Sequence, residues 1–225
     1  MDDRTEPSNQ SMQGRNHPLT LITAHAGAMG TAPNTPESLD VLFVCGADAV
    51  EVDVRKEGSS LLLSHDLMLP WKKYPSLSDC LLRLRKTPGV LMNLDFKEPG
   101  LVRDALRIAR EQGVADRLLY TGDVGGEDFQ AIQGNEIPLW INEYLLTNEE
   151  RKDPVNAAAN RGFEILNIDR KRVTEALLRE HAGRLSVWTV SEEDELRRLL
   201  LANVKNITTR NPALALQLRS ELQGQ

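Results

Sequence analysis

From residue 19 onward, short apolar runs alternate with longer charged segments whose apolar positions recur at helical spacing. Eight runs predict strands, at 19–24, 49–54, 90–96, 117–121, 137–142, 164–168, 185–190 and 204–208. Most are apolar at consecutive positions, as in strands covered on both faces. Between them, helix signals recur. Thr35 followed by Pro36 reads as an N-cap with proline at the first helical position. Thr147 to Glu150 and Ser191 to Asp194 have the spacing of capping boxes. Gly113 and Gly183 stand where helices should stop. The segment 99–112 gathers Leu101, Val102, Ala105, Leu106, Ile108 and Ala109 on one stripe, and Leu196, Leu199, Leu200 and Val204 repeat the device later.

Eight strands, each followed by a helix and joined without a linker, predict an α/β fold, a single (β/α)8 TIM barrel over residues 19–225. Such a barrel is trimmed relative to the typical size of about 250 residues. An open doubly wound sheet is the rival, but no Gly-x-Gly-x-x-Gly follows the first strand. Residues 1–18, rich in Asp, Glu, Ser, Asn, Gln and Pro, predict a disordered tail.

Charge narrows the function classes. With 33 acidic and 27 basic residues, the net charge of -6 argues against general electrostatic binding to nucleic acid or to an anionic membrane, though not against a local basic pocket. No run is long enough to span a bilayer. The polar first 16 residues lack the apolar core of a signal peptide, so a cytoplasmic protein is expected. Cys45 and Cys80 are too few for a disulfide framework or a cysteine-based zinc site, and read as reduced core residues.

In a barrel of this kind, chemistry belongs at the C-terminal strand ends. Those ends carry His25, Glu51 and Asp53, Asp95 and Lys97, Asp123, Asn142 and Glu143, Asn167 and Asp169, Trp188, and Thr209 with Arg210. Glu51 and Asp53 are two apart on a strand, so both carboxylates face one side. Held together they repel unless one is protonated or a cation lies between them. With Asp95 on the next strand end, three oxygen donors without a His or Cys cluster suit a hard divalent cation, Mg²⁺ or Ca²⁺. His25 follows the first strand. His65 follows a short extended run at 61–64. Two imidazoles beside such a cluster fit general acid and base, because the group titrates near neutral pH. Lys97 shares the inward direction of Asp95 and either binds an anionic substrate, most simply phosphate, or pairs with Asp95 or Glu98. Trp188 is either plain core or the wall that packs the alkyl or polyol face of a substrate.

Taken together, these residues resemble the glycerophosphodiester phosphodiesterase family over nearly the whole ordered chain. The family's His-Arg-Gly opening stands here as His25-Ala26-Gly27, and its Pro-Glu-Asn-Thr segment as Pro33-Asn34-Thr35. Gly46-Ala47-Asp48-Ala49-Val50-Glu51-Val52-Asp53-Val54 is followed by His65-Asp66, then by Asp95-Phe96-Lys97, Trp188-Thr189-Val190 and Ile207-Thr208-Thr209-Arg210-Asn211-Pro212. The resemblance implies a barrel of the phospholipase-C-like phosphodiesterase type. It implies a divalent metal on Glu51, Asp53 and Asp95, an acid–base pair of His25 and His65, and phosphate contact from Lys97. The implied reaction cleaves a small-molecule phosphodiester to an alcohol and a phosphomonoester, within lipid metabolism. The alternatives are a catalytically weak barrel that binds a phosphorylated ligand, and a phospholipase-D-like lyase that forms a cyclic phosphate. Departures mark a divergent branch. Ala26 replaces the family arginine, the segment before Asn34 lacks its glutamate, Asp95 stands where many members have glutamate, and the interval from His65 to Asp95 is short. Arg55 and Arg210 are candidates for the missing charge. Oligomeric state is left open.

Overall fold

A computed structural model describes residues 19–133 and 138–224. The expected tail at 1–18 and the first residue of the strand expected at 137–142 lie outside them. The strands are β1 (Leu21–Ala24), β2 (Ala49–Glu57), β3 (Ser60–Leu63), β4 (Leu91–Phe96), β5 (Leu118–Gly122), β6 (Trp140–Asn142), β7 (Ile165–Asp169), β8 (Leu185–Trp188) and β9 (Asn206–Thr209). The helices are α1 (Pro36–Leu42), α2 (Leu77–Lys86), α3 (Val102–Gln112), α4 (Glu127–Gln133), α5 (Pro154–Asn160), α6 (Glu175–His181), α7 (Glu193–Leu201) and α8 (Pro212–Gln223).

Eight strands run parallel in the order β5-β4-β2-β1-β9-β8-β7-β6. A parallel bridge between Tyr120 and Leu139 joins the two ends of that order and closes the ring. The expected (β/α)8 barrel is therefore the observed one. β3 is extra, an antiparallel partner of β2 in which Val54 faces Leu63.

The strand pattern differs from the expected continuous apolar run, and the difference builds the site. Outward positions (Ile22, Val50, Val52, Leu94, Val187, Ile207) join the main core beneath the helices. Inward positions change character with height. Leu21, Leu91, Leu119, Trp140 and Ile165 form a small separate apolar cluster. Two residues further along each strand come Thr23, Asn93, Thr121, Asn142 and Asn167, and these are buried and polar. Because successive side chains alternate between faces, each polar residue stands directly above an apolar one. The layer satisfies itself: Thr23 donates to Asn206, Asn206 to Ser186 and Asn93 to Thr121, at 2.7–3.0 Å, and the Asn167 amide donates to the Ser186 hydroxyl at 2.8 Å and accepts from the Trp188 indole at 3.2 Å. An apolar plug below and a hydrogen-bonded ring above leave the next layer of side chains polar and facing the barrel mouth.

Local signals were realised unevenly. Thr35 caps α1 by accepting from the Ser38 amide at 3.1 Å, and Gly113 ends α3 at φ 70°. Thr147 and Glu150 form their reciprocal box, but it caps only a short turn ahead of α5. The Ser191 box does not form: the N-cap of α7 is Glu192, and the Ser191 hydroxyl accepts from the Arg210 amide instead. Gly183 lies in a turn beyond α6 rather than ending it. The N-terminus of α3 lacks a cap of its own, and Asp128 supplies one by accepting from the Gly100 and Val102 amides. Gly122, at φ 94°, is required by close approach: a Cβ there would lie 2.2 Å from the Phe96 carbonyl oxygen and 2.5 Å from Asp95 Oδ1.

Candidate active site

At the C-terminal mouth of the barrel lies a cavity of about 300 Å³. Of the residues singled out from the sequence, His25, Glu51, His65, Asp95, Lys97 and Trp188 line it. Asp53, in register with Asp95, is almost wholly buried beside them. Register explains the convergence. Glu51 pairs with Asn93 and Asp53 with Asp95 across the β2–β4 ladder, so all four point into the barrel at adjacent heights.

Ligand oxygens from Glu51, Asp53 and Asp95 lie within 4.8 Å of one another. Each acid is held by a different donor. Glu51 accepts from the Ala26 amide at 2.8 Å. Asp53 Oδ2 accepts from Asn34 Nδ2 at 2.6 Å, while Asn34 Oδ1 accepts from the Asp53 amide at 3.0 Å. Asp95 Oδ1 accepts from the Thr121 hydroxyl at 3.2 Å. Lys97 Nζ is 2.8 Å from Asp53 Oδ1 and also bonds Asp95. One ammonium thus faces three carboxylates. The excess negative charge is visible in Glu51, whose carboxyl is held well above the ordinary range by burial and by Asp53 and Asp95. Asp95 is raised too, first by burial. A compact all-oxygen set of surplus negative charge fits a hard divalent cation.

The two histidines occupy opposite environments. His25 is mostly buried, and its Nδ1 bonds the Ala26 carbonyl. A carbonyl only accepts, so the proton is on Nδ1 and Nε2 keeps its lone pair. Nε2 lies 3.9 Å from Glu51 Oε2. Burial lowers the His25 pKa below its usual value, which keeps the ring neutral. His65 is exposed on the loop after β3, and its Nδ1 lies 2.9 Å from Asp66 Oδ1.

The structure separates the two candidate arginines. Arg55 donates to the His65 carbonyl at 3.1 Å and pairs with Glu98 at 3.2 Å, so it braces the His65 loop and does not line the cavity. Arg210 does line it, next to His25: the Met29 amide bonds the Arg210 carbonyl, and the His25 amide bonds Thr209. Ala26 is buried, with its amide on Glu51 and its carbonyl on His25. Several strand-end residues serve elsewhere. Glu143 pairs with Arg151 and Arg172 outside this cavity, and Asp169 caps its own turn through the Lys171 amide. Asp48 is structural, accepting from the Ile22 amide and pairing with Arg219.

Five further residues, to which the sequence assigned no role, line the cavity: Asn93, Thr121, Tyr144, Thr189 and Thr208. Parity would have found Asn93, which stands two before Asp95 on the same face. Asn34, which grips Asp53 from φ 56°, carries no local signal of that role.

No protein-family model matches the chain, and no curated protein matches it in sequence. Solved structures do match. A glycerophosphodiester phosphodiesterase from Parabacteroides distasonis superposes with a TM-score of 0.72 at 20% identity, covering 92% of this chain and 98% of that one. The chain has the fold of the glycerophosphodiester phosphodiesterases. Another, from Agrobacterium tumefaciens, gives a TM-score of 0.67 at 19% identity, with coverages of 88% and 100%. A phosphodiesterase from Oleispira antarctica, solved with its product sn-glycerol-3-phosphate, gives 0.69 at 16% identity, with coverages of 89% and 96%.

Proposed function

We propose that this chain is a metal-dependent phosphodiesterase that cleaves a glycerophosphodiester-like substrate to an alcohol and a phosphomonoester. The observation that carries the reading is one cavity lined together by Glu51, Asp95, Lys97, a buried neutral His25 and an exposed His65. The product bound to the Oleispira antarctica enzyme is a phosphomonoester of the same class.

A divalent cation held by Glu51, Asp53 and Asp95, Mg²⁺ or Ca²⁺ from the oxygen donors, would polarise the phosphoryl oxygens. The protein's own groups handle protons and position. His25 Nε2 takes the proton of the attacking water as its oxygen bonds phosphorus. The phosphorus–oxygen bond to the alcohol breaks, and His65 gives that oxygen a proton. Lys97, fixed by Asp53 and Asp95, would present its charge to a phosphoryl oxygen of a substrate in the cavity. Trp188, partly exposed in the wall, packs the alcohol side.

An activity screen on soluble phosphodiesters tests the reading. Turnover of a glycerophosphodiester is expected, lost with a chelator and restored by Mg²⁺ or Ca²⁺, with phosphomonoester in the phosphorus spectrum. A cyclic phosphate would instead identify a lyase. Tight binding of phosphomonoester without turnover would identify a binding protein.

Arg210 supplies the guanidinium that the first strand lacks, since it lines the cavity beside His25 while Arg55 is committed to Glu98 and the His65 carbonyl. A charge-assisted hydrogen bond contributes about 1.5–3 kcal/mol. Arg210→Ala is therefore expected to raise KM about tenfold to a hundredfold. Arg55→Ala should leave KM nearly unchanged. The reverse ranking of the two KM values would sink the assignment.

A further inference from the structure

Among the described residues, five exposed large apolar side chains stand on loops that follow C-terminal strand ends or the β2–β3 hairpin: Met29, Leu67, Leu69, Trp71 and Tyr144. Three of them belong to one loop, residues 64–75. β3 returns that loop to the level of Asp53, where the Ser64 amide bonds the Asp53 carbonyl at 3.0 Å. Its ends are tied, with the Leu63 amide on the Pro75 carbonyl at 2.9 Å and a bridge between Leu62 and Ser76. Its interior is tied as well. The Leu69 amide bonds the Tyr74 hydroxyl at 2.9 Å, and Lys72 Nζ lies 5.1 Å above the Tyr74 ring. The loop is therefore built to hold a shape, yet that shape leaves Leu67 78% and Trp71 80% exposed. Exposed apolar groups gathered in this way mark an interaction site.

A second cavity, of about 260 Å³, runs between this loop and the segment 33–36. Pro33, Leu67, Leu69, Lys72, Tyr74 and Pro75 are among its walls, and it shares His65 with the catalytic cavity. A path walled in part by Pro33, Leu67, Leu69 and Pro75 thus leads from the proton donor to two of the protruding side chains.

We propose that loop 64–75 seats the protein on a lipid bilayer, so that the phosphodiester it takes is a lipid headgroup whose apolar tail leaves past His65 along the second cavity. This rests on the phosphodiesterase reading and names its substrate class. The local chemistry of the loop, not the net charge of the chain, favours a bilayer over a second copy of this chain. Trp71 is followed by Lys72 and Lys73, against the single acid Asp66 in the loop, while the chain as a whole carries -6. Tryptophan beside lysine suits the headgroup boundary, where the ring sits among the acyl chains and the ammonium among anionic phosphates. A second copy would bring a surface of net negative charge but no apolar interior to receive the protruding groups.

The full chain is sedimented with phosphatidylcholine–phosphatidylglycerol vesicles, and turnover is compared on a vesicle-borne lysophospholipid and on a soluble glycerophosphodiester. The wild type is expected to pellet, and Leu67→Ser/Trp71→Ser to lose about tenfold or more in vesicle affinity, since each buried side chain of this size contributes a large part of a decade or more. The double variant should keep its rate on the soluble substrate and lose it on the vesicle-borne one. Quenching of wild-type tryptophan fluorescence by brominated phospholipid gives the same answer without a variant. Equal vesicle binding by wild type and variant, or no quenching, overturns the proposal. A dimer in solution that the double variant abolishes, with no vesicle binding, also overturns it and makes the loop a self-association surface. Vesicle binding without turnover of either substrate leaves the docking supported and overturns the phosphodiesterase reading instead.

Discussion

Asp53→Asn is expected to lower turnover by about a thousandfold or more, because metal-borne charge stabilisation contributes several kcal/mol to a transition state and each 1.36 kcal/mol is a decade. The substitution removes one of three carboxylates and changes little else. The Asp53 amide still bonds Asn34 Oδ1, and the new amide oxygen can still accept from Asn34 Nδ2, as Asp53 Oδ2 does at 2.6 Å. Lys97 loses one partner and keeps Asp95. In the metal-free protein the change relieves repulsion, since Asp53 is a leading cause of the raised Glu51 carboxyl after burial itself. The melting temperature without metal is therefore expected to hold or rise while activity collapses, as at a site where function is bought with local instability. Metal-titrated turnover and calorimetry check the two halves separately. Near wild-type turnover, or activity indifferent to chelator, would remove the carboxylates from the chemistry. A large fall in melting temperature would show that Asp53 serves the fold first.

The split between what the sequence revealed and what it hid follows the range of the forces involved. Strand positions were legible because outward residues such as Val50, Val52 and Leu94 must be apolar to sit under helices, and the runs they make are local. The carboxylate cluster was legible because Glu51 and Asp53 share a face by pleat alone, and Asp95 ends the next predicted strand. Asn142 and Asn167 were legible as strand ends, but a mid-strand Asn93 looks like a flaw in an apolar run until Thr121 on the neighbouring strand supplies its partner. Asn34 stood out only as part of Pro33-Asn34-Thr35, and its role was hidden for a stronger version of the same reason: its bonds to Asp53 join a loop to a strand that are neighbours only in the folded barrel. Ser191 shows the opposite error. Its spacing was right for a cap, but the Arg210 amide on the adjacent strand end competed for its hydroxyl. Between Arg55 and Arg210 the sequence offered no choice at all, and Glu98 decided it by claiming Arg55.

His25→Ala and His65→Ala are each expected to lower kcat on a glycerophosphodiester by a factor of about 10² to 10⁴, the usual contribution of a positioned proton donor or acceptor. The two differ in what rescues them. His25 is buried with Nδ1 bonded to the Ala26 carbonyl, so only Nε2 is free to accept, and that atom faces the Glu51 side of the cavity. His65 stands at the solvent edge on Asp66 and lines both the cavity at the barrel mouth and the one under loop 64–75, where the proposed leaving alcohol would depart. A p-nitrophenyl phosphodiester releases an anion that needs no proton. On that substrate His65→Ala should recover most of its rate while His25→Ala stays slow, since activation of water is still required. The loss should fall on kcat with KM little changed, because neither ring is assigned a role in holding the ground state. Recovery by His25→Ala in place of His65→Ala would exchange the two roles. Recovery by neither would mean that His65 positions the substrate, with its proton-transfer task done by another group at the cavity mouth. One hydroxyl in the wall of that cavity is that of Tyr144. Tyr144→Phe on the same two substrates would then separate a positioning His65 from a tyrosine acid.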